Sequence, residues 1–244
     1  MNPCAGLRLL TILFGALMPA IASAQPMPLQ LHAGHLRQAL HLAFSLQVDA
    51  EPSSRGTLWL DRHGQTCLWV QEPLQQRMWL ASEGLSIYYP AERTLLRQVK
   101  AKPEVPAMLD ALLVGLRSPA EVLPNNAKLI ARERTPQGTW ENWQIEDPQG
   151  RPLAKIRALE TAQGPKSVEI SDADAQHVRT YRFGPPQRVG ALSVPTTADT
   201  EVLHKQAVVR KEHWTFKVLP GGTPPAGASQ CLGAAADARV QVLP

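Results

Sequence analysis

Histidine, cysteine and paired carboxylates are the residues here that could do chemistry. The histidines are His32, His35, His41, His63, His177, His204 and His213, and only His32 and His35 stand close together in sequence. That pair lies near the start of the chain with no cysteine or carboxylate at ligand spacing, so no metal site is expected. Asp172 and Asp174 fall in "SDADAQ", a hairpin-turn composition with too few oxygens for a calcium loop. Nucleophile elbows, phosphate-binding glycine loops and H-E-x-x-H are absent. The expectation is a protein that is not an enzyme and needs neither metal nor cofactor.

The cysteines carry a different message. Arg8, the apolar run "LLTILFGALMPAIA" and Ala22-Ser23-Ala24 have the order of an export signal cut after Ala24. The run is too short to span a bilayer, which takes ~20 apolar residues. Cys4 precedes it and is lost on cleavage, leaving Cys67 and Cys231. In an oxidising compartment these two are expected to pair, pinning the tail to a tryptophan-bearing strand. There is no C-x-x-C, and two isolated cysteines build no zinc site.

Charge excludes another class. The formal net charge is +4 with 25 Lys and Arg, but these are scattered singly, and no basic stripe forms a nucleic-acid footprint. With 44% hydrophobic residues, the chain can bury a core.

The elements that must position these residues follow from periodicity. "HAGHLRQALHLAF" spaces Leu36, Leu40 and Phe44 four apart, predicting a helix that gives way to a strand near Phe44. From Arg55 the period is two: "RGTLWLD", "TCLWVQE", "QRMWLAS", "GLSIYYP" and "TLLRQVK" read as an antiparallel meander with short turns. The pattern breaks at Pro103. Met108, Leu109, Leu112, Leu113 and Leu116 then recur at helical spacing, and Ser118, Pro119 and Glu121 read as a second helix start. Strand periodicity resumes from Asn126 and runs to "AVVRKEHWTFKVLP". The expected layout is a signal at 1–24, one half-barrel domain at 25–220 with a helical insertion near 103–123, and a Gly/Ala/Pro-rich tail at 221–244.

Several strands are apolar on both faces. Leu58 and Leu60 alternate with Trp59, Leu68 and Val70 with Trp69, Met78 and Leu80 with Trp79. Such a sheet must be covered on both sides. An apolar cavity under the insertion and a plain sandwich core both satisfy the pattern.

The stretch "GTLWLDRHGQTCLWVQEPLQQRMWLASEGLSIYYPAERTLLRQV" resembles the LolA family, periplasmic carriers of outer-membrane lipoproteins. The resemblance lies in Gly56, Leu58, Arg62, Leu68, Trp69, Pro73, Glu83, Gly84, Ile87, Tyr89 and Pro90. Near the end, "HWTFKVLPGG" contributes Trp214, Phe216, Pro220 and Gly221 or Gly222. The resemblance implies a mainly β fold with a few helices: an incomplete, strongly curved antiparallel β-barrel of about eleven strands covered by a helical lid. It implies a cavity lined by Leu58, Leu60, Trp69, Met78, Leu80, Ile87, Trp214 and Phe216. Met108, Leu109, Leu112, Leu113 and Leu116 would form the lid. Arg62 would latch that lid, its five donors tying down carbonyls. The chain departs from the family where His63 follows Arg62 in place of proline. By resemblance the ligand is an acylated lipoprotein or lipid, passed from an inner-membrane donor to an outer-membrane receptor by a monomeric periplasmic carrier. The rival readings are a divergent paralogue serving one lipid or glycolipid export pathway, and an envelope-stress regulator sensing lipid.

Overall fold

The computed structural model describes residues 38–81, 84–98, 112, 114–116, 123, 126–221 and 223–243. The signal segment, the start of the first expected helix, Met108, Leu109, Leu113 and the helix start at Ser118 lie outside the described residues.

Strands dominate. In the first half they are β1 (Leu40–Val48), β2 (Ser54–Leu60), β3 (Thr66–Glu72), β4 (Gln76–Ala81), β5 (Gly84–Tyr89) and β6 (Thr94–Gln98). The long central hairpins are β7 (Ala127–Thr135), β8 (Gly138–Glu146), β9 (Pro152–Thr161), β10 (Gly164–Asp172) and β11 (His177–Phe183). The hairpin of β12 (Pro186–Val189) and β13 (Leu192–Pro195) stands apart as a two-stranded sheet. Then come β14 (Thr197–His204), β15 (Ala207–Val218), a short tail helix (Ala228–Leu232) and β16 (Arg239–Leu243).

Apart from β12 and β13, these strands form one fourteen-stranded sheet in the order β16-β6-β5-β4-β3-β2-β1-β15-β14-β11-β10-β9-β8-β7. Its two edges, β16 and β7, are not paired with each other, so the barrel is incomplete, as expected. The strand count is higher than the expected eleven. β14 and β16 lie in stretches that sequence periodicity leaves unassigned. Every pairing is antiparallel except β16 on β6, which is parallel.

The helix expected up to Phe44 is corrected. Leu40, Leu42, Phe44 and Leu46 are buried on one face of a strand that pairs with β2 and β15. A spacing of four serves both periods, since it is also twice the strand repeat.

The main core lies on the concave face. One row of it crosses six strands in register: Leu42, Leu58, Leu68, Met78, Ile87 and Leu96. Gly56 allows the sheet to close here, because a side chain at that position would stand 2.0 Å from the Trp69 carbonyl and 2.9 Å from the Phe44 ring. A second, smaller cluster occupies the opposite, convex face: Cys67, Trp79, Ala81, Tyr88 and Leu95, closed over by Cys231 and Leu232 of the tail.

Candidate functional site

Of the eight side chains expected to line a cavity, seven share the concave core: Leu58, Leu60, Met78, Leu80, Ile87, Trp214 and Phe216. Trp69 is the exception and a correction. Leu58 faces Leu68 across the β2–β3 ladder while Thr57 faces Trp69, so Trp69 points to the convex side. There its Nε1 donates to the Cys231 carbonyl at 2.8 Å, and the Arg77 guanidinium sits 5.3 Å from its ring centre. Alternation separates residues 68 and 69 onto opposite faces whatever the fold.

Part of the insertion packs into the concave core. Residues 112 and 114–116 are helical, and Leu112, Val114 and Leu116 are buried in the core cluster. The approach is close at Gly115, where a Cβ would lie 2.7 Å from the Phe183 ring and 2.9 Å from Pro195. Beside it a recess of about 370 Å³ opens at the rim, bounded by Gly115, Gly164, Lys166, Phe183, Pro186 and Pro195. Volumes of this size fall at the small end of ligand sites.

Further along the same face, toward β7, the lining changes from aliphatic to charged. Glu141 on β8 accepts from Arg132 Nε at 3.0 Å and from Trp143 Nε1 at 3.1 Å. Glu212 on β15 does the same with Arg210 Nε at 2.6 Å and Trp214 Nε1 at 3.1 Å. Both carboxylates are buried, and each is matched by a cation and an indole donor, which is what makes burial of a charge tolerable. At the strand ends, Asp172 accepts from the His177 ring at 2.8 Å, and His177 Nε2 faces His204 Nδ1 at 2.9 Å. Burial pushes the Asp172 carboxyl up. Hydrogen bonds from the His177 ring and the backbone N–H groups of His177 and Gln176 outweigh it and hold the group below its ordinary range.

Sequence reading missed this charged half. Its signal was present: Arg210 and Glu212 occupy the same alternating positions as Trp214 and Phe216, polar groups where the pattern asks for apolar ones.

Arg62 is exposed at the β2–β3 turn. The turn itself is organised by Asp61, whose carboxylate accepts from the backbone N–H of His63 and Gln65, both at 2.8 Å, and by Gly64 with a φ of 81°. Cys67 and Cys231 are joined by a disulfide. The tail it anchors adds Arg77 Nη1 to the Leu232 carbonyl at 3.1 Å, an Arg93–Asp237 ion pair at 2.6 Å, and the whole β16–β6 ladder.

No protein-family model matches the chain, and no curated protein matches it in sequence. Solved structures do match in shape. A putative outer-membrane lipoprotein-sorting protein domain from Vibrio parahaemolyticus aligns with 79% of this chain and 90% of its own, at 9% identity and a TM-score of 0.53. A DUF1329 family protein from Desulfovibrio piger aligns with 80% of this chain and 90% of its own, at 10% identity and a TM-score of 0.53. For a LolA superfamily protein from Nitrosomonas europaea the figures are 78%, 90%, 12% and 0.49. At such identities the likeness is one of fold alone: a large curved antiparallel sheet left open at its edges, shared with the lipoprotein-sorting domain and the DUF1329 protein.

Proposed function

We propose that this protein is a periplasmic carrier that shields the acyl chains of a lipid or lipoprotein against its concave face and passes them toward the outer membrane. The observation that carries the reading is the cover. An apolar wall spanning six strands belongs to a sheet that does not close on itself, and a separate piece of chain adds Leu112, Val114 and Leu116 to the same buried cluster. The fold shared with a lipoprotein-sorting domain points the same way.

Carriage then works by exchange. The insertion occupies the wall when no ligand is bound, and an acyl chain displaces it. Each CH₂ removed from water contributes ~0.8 kcal/mol, so part of one chain outweighs a few leucines leaving the wall. Release reverses the exchange when a receptor offers the acyl chain a better site. No step in this cycle breaks a covalent bond or calls on a metal or cofactor, and the protein carries its ligand as a monomer between an inner-membrane donor and an outer-membrane receptor. The buried Glu141 and Glu212 pairs favour a divergent paralogue dedicated to one lipid or glycolipid over a general carrier, because a charged patch beside the apolar wall discriminates among headgroups.

Native mass spectrometry on the protein isolated from a periplasmic extract tests the reading. The expected result is a co-purifying acylated species, displaced by added fatty acid. Protein that is always ligand-free, and that takes up no acyl probe in vitro, would overturn it.

A further inference from the structure

His177 and His204 stand directly opposite each other in the β11–β14 ladder, with Nε2 of one 2.9 Å from Nδ1 of the other and ring centres 4.6 Å apart. Asp172 lies on the far side of His177, its carboxylate 2.8 Å from Nδ1. An ionised carboxylate can only accept, so His177 carries a proton on Nδ1, and its neutral form then presents the Nε2 lone pair to His204. A carboxylate behind an imidazole whose other nitrogen is free to coordinate is the arrangement that orients histidine ligands in metalloproteins. We propose that His177 Nε2 and His204 Nδ1 form a binding site for a divalent transition-metal ion, with Asp172 as the orienting group.

The geometry sets what binding requires. Two nitrogens about 2.05 Å from one ion stand about 2.9 Å apart at a right angle and about 3.3 Å apart at the tetrahedral angle. The observed 2.9 Å is that of an N–H···N hydrogen bond, so that bond opens as the ion enters, and Cu(II), the tightest binder of the divalent first-row ions, is the ion of choice for the test. Each ring pivots about its Cβ–Cγ bond until both lone pairs meet at the ion, and the rings already differ by 41°. Proton balance is simple. Without metal, His204 donates Nδ1–H to His177. With metal, that proton moves to His204 Nε2, so two neutral imidazoles supply one lone pair each and no net proton is released.

No group of three or more His, Cys, Asp or Glu at ligand distance occurs among the described residues, so water completes the shell. The surrounding charge is moderate. Asp172 is anionic, and Arg210 is paired with Glu212 at 2.6 Å. Arg179, one concave-face position along from His177, lies 3.5 Å from the Tyr181 hydroxyl. Lys155 is turned to the Ala173 carbonyl. This site is independent of the carrier reading, since it uses none of the apolar wall.

Calorimetric titration of the untagged full-length protein with Cu(II), Ni(II) or Zn(II) at pH 7.5 tests it. One equivalent of Cu(II) should bind, with a nitrogen superhyperfine pattern from two imidazoles in the Cu(II) EPR spectrum and a higher melting temperature. His204→Gln should remove that equivalent and the melting shift. Asp172→Asn keeps both imidazoles and should weaken binding 10–100-fold, giving a readout even if the histidine variant folds poorly. Absence of binding, or a full equivalent retained in the H177Q/H204Q double variant, would overturn the site and leave a hydrogen-bonded relay.

Discussion

The convex face of β2–β6 and the concave face of the sheet are both apolar, and each receives a separate piece of chain as a cover. On the convex face the tail is held by a disulfide between two fully buried sulfurs, by Trp69 and Arg77 donating to its backbone, and by a parallel strand along β6. On the concave face, the described residues of the insertion, Leu112, Val114 and Leu116, join the core through apolar side chains. Apolar contact is non-directional and can be exchanged for any other apolar surface, whereas a covalent bond and a backbone ladder cannot. One cover is therefore built to stay, and in the carrier reading proposed above the other gives way to a ligand.

The largest expected effect comes from making the removable cover permanent. A Gly115→Cys/Pro195→Cys pair, placed where the two segments already touch, should abolish uptake of a fluorescent fatty acid when oxidised and regain it on mild reduction. The native bridge is buried and should survive that treatment. Uptake by the oxidised variant would erase the distinction between the covers.

Freeing the permanent cover should cost stability. Cys67→Ser with Cys231→Ser opens a link spanning 164 residues and should lower unfolding free energy by about 2–5 kcal/mol, measured by urea denaturation. Fatty-acid uptake should persist. Loss of uptake in a still-folded variant would mean the convex cover also serves the ligand.

Single residues sharpen the contrast. Leu58→Ala should cost about 2–5 kcal/mol and also reduce acyl binding, because it leaves a void in the wall. Trp69→Ala should cost about 2–3 kcal/mol, less than a fully buried tryptophan, and leave binding unchanged. Reduced acyl binding in the Trp69 variant, at retained fold, would contradict its position on the convex side.

The smallest effect is one of pH, and it belongs to the charged half of the concave face. The folded Asp172 carboxyl titrates below its ordinary value, so its contribution to stability is present above the unfolded carboxylate value of about 3.9 and fades as pH falls through the lower folded value. Asp172→Asn should shrink the stability lost by the wild type between pH 7 and pH 3. An identical acid profile in the variant would show that the hydrogen bonds to His177 and Gln176 contribute nothing to folding.

How much of this was legible beforehand depends on the residue. Alternation in "GTLWLD" and "TCLWVQ" announced two apolar faces, because a strand sends successive side chains to opposite sides in any fold. It did not say which face was inner, and the lining proposed for the cavity mixed Trp69 with Leu58. For β1 the four-residue spacing of Leu36, Leu40 and Phe44 admitted helix or strand, and pairing with β2 and β15 on either side decided for strand. The charged pairs at Glu141 and Glu212 are local and were legible as polar positions within the alternation of β8 and β15, whereas the contact of His177 with His204 joins residues 27 apart in sequence.

What the sequence determined by itself was local and periodic: the strands, their apolar sides, the turn at Asp61 and the availability of two cysteines. What only the tertiary structure decided was non-local. The tail, poor in large apolar groups and rich in glycine and proline, alternates only over the short run Arg239-Val240-Gln241-Val242, too brief to announce a strand by itself. It becomes β16 because Cys231 and Leu232 are held against β3 and β4, which brings Arg239–Leu243 beside the free edge of β6, where unpaired N–H and C=O groups need partners.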